Sequence, residues 1–184
     1  IKMGAFHEDF SKNTVYRFLE NIHMNWHMFL LRLSASIIRY VAGLTDDKNN
    51  RYALLVDDTP LPKCGKAMEL VSKYFNHATM GYEFGYRVLT LAWTDGVTTV
   101  PVRYSLLASS YDEKVRGTIK DDIDGRSLGG RIRKLARTSM NGLAVKFACE
   151  AVKSGIPASI IAFDSWFAVP QTISRLMKQA RLTV

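Results

Sequence analysis

Cysteine is nearly missing from this chain. Cys64 and Cys149 are the only two among 184 residues and stand far apart, which leaves no disulfide framework and no cysteine-based zinc site, and fits a reducing, intracellular compartment. Long hydrophobic runs are missing too: the longest apolar stretch, residues 29–41, is interrupted by Arg32 and Arg39 and is too short to span a bilayer. The first residues carry Lys2, His7, Glu8 and Asp9 without an apolar h-region, so no signal peptide is read there. Acid is scarcer than base. Seventeen Asp and Glu against 25 Lys and Arg give a formal charge of +8, and the pI is about 9.6. This excess points to a polyanionic partner, nucleic acid before membrane. No internal repeat or low-complexity tract is present. The chain begins with Ile and stops at Arg181-Leu-Thr-Val184, which reads as the start of a strand, so both ends are expected to be cuts in a longer protein.

What is present can bury one sizeable core, since 47% of the residues are hydrophobic. The chain is organised around residues 51–60, where the apolar run 52–56 ends in Asp57, Asp58, Thr59 and Pro60. The run reads as a buried central strand that Pro60 and Pro62 stop. Residues 158–167 repeat the design: a short apolar run, then Asp164 and Ser165, then Trp166 and Phe167. Two neighbouring strands that each end in an aspartate bring the carboxylates together, and such a pair repels itself unless a cation, usually a divalent metal, sits between them. Each aspartate alone is also a good turn former or helix N-cap. The Asp57-Asp58 doublet lets one residue cap and the other do chemistry.

Ahead of this core, Ser11 is a capping residue for a helix with Val15, Phe18, Leu19 and Ile22 on one face. Asn25 caps a second helix, with Trp26, Phe29, Leu30, Leu33, Ile37 and Val41 expected inward and Gly43 closing it. The pair has the shape of a helix-turn-helix, which non-binding bundles share. The polar stretch 45–50 is the expected boundary between a helical region (1–46) and the core (47–184). Lys63, Lys66 and Lys73 flank a segment, 67–75, expected to be helical, and 81–85 reads as a turn. The β-rich runs 84–93 and 98–106 are joined by Asp95-Gly96, a strong hairpin signal. The trio Asp121, Asp122 and Asp124 lacks the glutamate a calcium loop needs and reads as a solvated loop. Arg126, Arg131, Arg133, Lys134 and Arg137 form a basic run into a helix over 132–153 ended by Gly155. Strand 156–163 carries Asp164, and Pro170 opens the next helix. The order implies an α/β fold: a mixed sheet of five strands, the first central and the Asp164 strand parallel beside it.

Four segments, SKNTVYRFLENIHMNWHMFLLRLS, LLVDDTPLPKCGKAMEL, GYRVLTLAWTDGVTTVPVRYSLLASS and GIPASIIAFDSWFA, together resemble the bacterial insertion-sequence transposases of the DDE superfamily, whose core is RNase H-like. The resemblance covers most of the chain. It implies that Asp57 and Asp164 are the first two catalytic, metal-binding carboxylates, with Thr59 following in an Asp-x-Thr pattern. It also implies Mg²⁺ (or Mn²⁺) as cofactor, double-stranded transposon-end and target DNA as partners, a homodimer on DNA, a bacterial cytoplasmic, nucleoid-associated setting, and a DNA-positioning role for the N-terminal helices. Lys63, Lys66, Arg131, Arg133 and Lys134 are the expected phosphate contacts. Trp166 is read as packing beside a DNA end, or, with Phe167, as a core or interface aromatic. The family's third acid, a glutamate on a helix after the fifth strand, has no counterpart because the chain stops at Val184, and Glu150, which precedes Asp164, cannot take its place in that order. The fragment alone is therefore expected not to complete the reaction, and a non-catalytic DNA-binding remnant is the alternative. A phosphohydrolase would need two aspartates separated by one residue, whereas Asp57 and Asp58 are adjacent.

Overall fold

The computed structural model describes residues 11–21, 23–44, 51–120 and 122–184. The first ten residues, the expected boundary at 45–50, Ile22 and Asp121 lie outside them.

Both N-terminal helices start where their caps predict. Ser11 Oγ accepts the Thr14 N–H at the head of α1 (Lys12–Leu19), and Asn25 Oδ1 accepts the Met28 N–H at the head of α2 (Trp26–Gly43). Their faces differ from expectation. No residue of α1 is buried, and α2 buries Leu31, Ser34, Ala35 and Ile38 while Phe29, Leu33 and Ile37 stay exposed. Two adjacent stripes of α2 are apolar, so periodicity alone does not choose between them. Packing against the sheet does: the small Ser34 and Ala35 permit close approach, and Ser34 Oγ–H donates to the Pro101 carbonyl of an edge strand at 2.6 Å.

The five strands are β1 (Ala53–Pro62), β2 (Ser72–Asn76), β3 (Gly81–Thr94), β4 (Thr99–Leu107) and β5 (Ile160–Phe163). β1 is central, antiparallel to β3 and parallel to β5, as its apolar sequence requires. The far side of β3 is shared: Gly81–Gly85 pairs with β2, and Arg87–Thr94 pairs with β4. At the changeover Gly85 has φ +157°, and a Cβ there would lie 2.1 Å from the Leu61 carbonyl oxygen. The Asp95-Gly96 turn joins β3 to β4, with Asp95 Oδ1 accepting the N–H groups of Val97 and Thr98. Arg181–Val184 contributes a parallel bridge from Thr183 to Ile160 at the outer edge of β5.

Five local readings are corrected. β1 does not stop at the doublet but continues through Asp57, Asp58, Pro60 and Pro62. β5 ends at Phe163, so the far half of β1 is an edge on that side, where proline is tolerated. Residues 67–75 form no helix; the C-terminal part enters β2, and 81–85 is strand rather than turn, because each segment supplies the other's ladder. The helix expected over 132–153 is two, α3 (Leu128–Ala136) and α4 (Met140–Lys153), split where Ser139 caps α4 by accepting the Gly142 N–H. The last strand starts at Ile160 rather than 156. Pro170 opens α5 (Pro170–Arg175) as expected.

One face of the sheet, with Leu54, Val56, Leu89, Leu91 and Trp93, joins Leu143, Phe147 and Ala151 of α4 and Leu31 and Ile38 of α2 in a single apolar core. The architecture is a mixed α/β sheet of the RNase H-like kind. Among the described residues no helix is long and apolar enough to cross a membrane.

Candidate active site

In the parallel ladder Leu54 pairs with Ile161 and Val56 with Phe163. Leu54, Val56 and Ile161 are buried, so these register partners share the core face. Asp57 follows Val56 and Asp164 follows Phe163, each by one residue. Asp164 has an extended backbone (φ −72°, ψ 169°), so it continues the line of β5. Alternation assigns Asp57, and the extended Asp164 just beyond the last ladder pair, to the face opposite the core, on neighbouring strands about 4.8 Å apart. Both residues are exposed. Thr59, two residues beyond Asp57, lies on the same face and is also exposed.

Local hydrogen bonds fix each carboxylate without exhausting it. Asp57 Oδ1 accepts the Asp58 N–H at 2.8 Å, and Asp164 Oδ1 accepts the Trp166 N–H at 3.0 Å. The second bond caps the short 3₁₀ turn Ser165–Phe167, which the fully buried Phe167 anchors to the core. Asp164 is therefore a cap as well as a rim carboxylate. Asp58 plays a different part. It points to the core face, where Arg87 Nε–H donates to its Oδ2 and only 5% of its side chain is exposed.

Two carboxylates on one face leave an oxygen each for a hard divalent cation, which suits Mg²⁺ or Mn²⁺ as part of a coordination shell. Among the described residues no group of three or more His, Cys, Asp or Glu is placed to hold a metal.

The expected phosphate contacts are scattered. Lys63 is half-buried and Lys66 exposed beyond the end of β1; six residues of strand put Lys63 about 20 Å from Asp57. Arg133 is committed to a bidentate ion pair with Glu69, whose carboxylate pushes the guanidinium pKa up. Arg131 and Lys134 are exposed and line a cavity that also contains Arg103. Trp166 is exposed rather than a core aromatic, with its ring edge-on to His77 at 5.8 Å. Sequence reading missed Arg87 and Arg103. Arg103 did carry a signal, a charge at an alternating position within an apolar strand run.

Comparison with curated proteins and with solved structures gives no match. A family profile described as DDE superfamily endonuclease matches residues 3–184, nearly the whole chain. The sheet order agrees with that assignment, which carries with it a nuclease or transposase type of activity, DNA as substrate and the family's general use of divalent metal: this chain belongs to the DDE superfamily endonucleases.

Proposed function

We propose that Asp57 and Asp164 are the first two acids of a DNA-cleaving and strand-transferring centre, as in a transposase. The observation that supports this reading is the Val56–Phe163 register, since an aspartate follows each partner by one residue. Asp57 and Asp164 would hold Mg²⁺ or Mn²⁺, which when bound would supply Lewis-acid stabilisation and activate a water or a DNA 3′-hydroxyl as nucleophile at neutral pH. The chain's own contribution is positional. The Asp58 N–H holds the Asp57 carboxylate, the Trp166 N–H holds that of Asp164, and their remaining oxygens face a phosphodiester approaching the exposed side of the sheet. Trp166, beside Asp164 and exposed, is suited to stack on an unpaired base at a DNA end. The helical region 1–46 serves to position DNA, with α2 docked on β4, and two chains act together on paired ends.

A second reading, DNA binding without catalysis, is favoured by the lack of a third acid near the pair among the described residues. Two measurements separate them. Mg²⁺ or Mn²⁺ should raise the melting temperature of the chain, and Asp57→Asn should abolish the shift. Nicking of supercoiled DNA that requires metal and Asp57 supports the catalytic reading. A metal response unchanged in Asp57→Asn rules out the acid pair.

A further inference from the structure

Arg103 is a buried charged residue, 5% exposed in the middle of β4. Its Nε–H and Nη2–H donate to Glu150 Oε2 of α4 at 2.9 and 2.6 Å, and its guanidinium lies over the Phe147 ring at 4.9 Å. Its Nη1 is buried with no hydrogen-bond partner. Close by, His27 Nδ1 is likewise buried and without a partner, the imidazole stacked on Tyr104 at 4.9 Å. Both residues line a cavity of about 760 Å³ whose other cations are Arg131 and Lys134 of α3, Lys146 of α4 and Arg175 of α5. Among the described residues Glu150 is the only carboxylate in the lining, and Arg103 already engages it.

A buried donor without an acceptor marks a place where a water or ligand belongs. Five arginines and lysines against one committed carboxylate decide the sign of that ligand: it is an anion. The cations on the rim come from three different helices, an arrangement that follows an extended polyanion better than it encloses a small ion. We propose that this cavity binds a backbone phosphate of a nucleic-acid strand, with Arg103 and His27 at its floor and Arg131, Lys134, Lys146 and Arg175 along its mouth. Arg103 pairs in register with Leu91, and Leu91 with Val56, so its side chain leaves the sheet on the face opposite Asp57. The phosphate held here belongs to DNA away from the phosphodiester at the acid pair. The inference rests on DNA as the substrate and is independent of the metal chemistry.

Inorganic phosphate and a short DNA duplex are each titrated into the 184-residue chain while the His27 ring and Arg103 Nε–H resonances are followed by NMR. In parallel, the salt dependence of duplex binding is compared between the wild type and an Arg131→Ala/Lys146→Ala variant, whose exposed substitutions leave the core intact. Both ligands should shift the two resonances, and the variant should bind several-fold more weakly, with a log K against log salt slope shallower by about 1–2. Shifts with phosphate but wild-type duplex binding by the variant would overturn the nucleic-acid assignment in favour of a small anion. Resonances unmoved by either ligand would mean that water fills the cavity, and the site would be withdrawn. Asp57→Asn separates the two proposals, since it should remove the metal response and keep the phosphate-induced shifts of the His27 and Arg103 resonances, which lie on the opposite face of the sheet.

Discussion

Arg87 and Asp58 form an ion pair across β3 and β1, and this divides the labour of the Asp57-Asp58 doublet. Because neighbouring residues of a strand face opposite ways, Asp58 is spent on the core side and Asp57 remains available on the other. Replacing Asp58 with Asn leaves a partly buried guanidinium without its charged partner and should cost about 2–3 kcal/mol in urea denaturation. Asp57→Asn, at an exposed position, should change stability by less than about 0.5 kcal/mol. Equal costs at the two positions would refute the division.

Gly85 should be the least replaceable glycine of the sheet. It pairs with Pro62 on one side and Ser72 on the other, and a methyl group there would meet the Leu61 carbonyl at 2.1 Å. Neither β1 nor β3 can yield without breaking the ladder, so Gly85→Ala should destabilise by at least about 2 kcal/mol. Gly96, in the hairpin turn with open space around it, provides the comparison: alanine there meets only the strain of its φ of +94°.

The elements written locally were legible from the sequence. The side-chain oxygens of Ser11 and Asn25 capped their helices, Asp95-Gly96 made the hairpin, and the apolar content of 52–56 and 156–163 marked the two parallel strands, the second of which starts later, at Ile160. What failed was decided by distant partners. Ser72–Asn76 has no strong preference of its own and becomes a strand because Gly81–Gly85 offers an edge. The inward face of α2 was set by Pro101, 67 residues from Ser34. The roles of Asp58 and Arg133 depended on Arg87 and Glu69, each remote in sequence, and no spacing rule connects them.

His27 gives the chain a pH dependence of known sign. Burial foremost, then the positive charge of Arg103, lowers its pKa below the ordinary 6.5, with Glu150 and the Tyr104 backbone opposing. A folded-state pKa below the unfolded one means that the neutral ring stabilises the fold. That contribution is complete above pH 6.5 and is lost as pH falls through the folded-state value. Urea midpoints should therefore drop between pH 7.5 and pH 5.5, and drop less in His27→Gln. An imidazole that titrates at or above 6.5 by NMR would contradict the burial of its ring.

Asp164 combines a structural and a chemical role, and two substitutions can part them. Its Oδ1 caps the turn that seats the fully buried Phe167, a task asparagine performs as well as aspartate. Asp164→Asn should thus keep the melting temperature of the metal-free chain and lose the increment that Mg²⁺ or Mn²⁺ provides. Asp164→Ala removes both and should cost about 1 kcal/mol before any metal is added. If Asp164→Asn keeps the full metal increment, the carboxylate is a cap and nothing more, and the partner of Asp57 must be sought elsewhere.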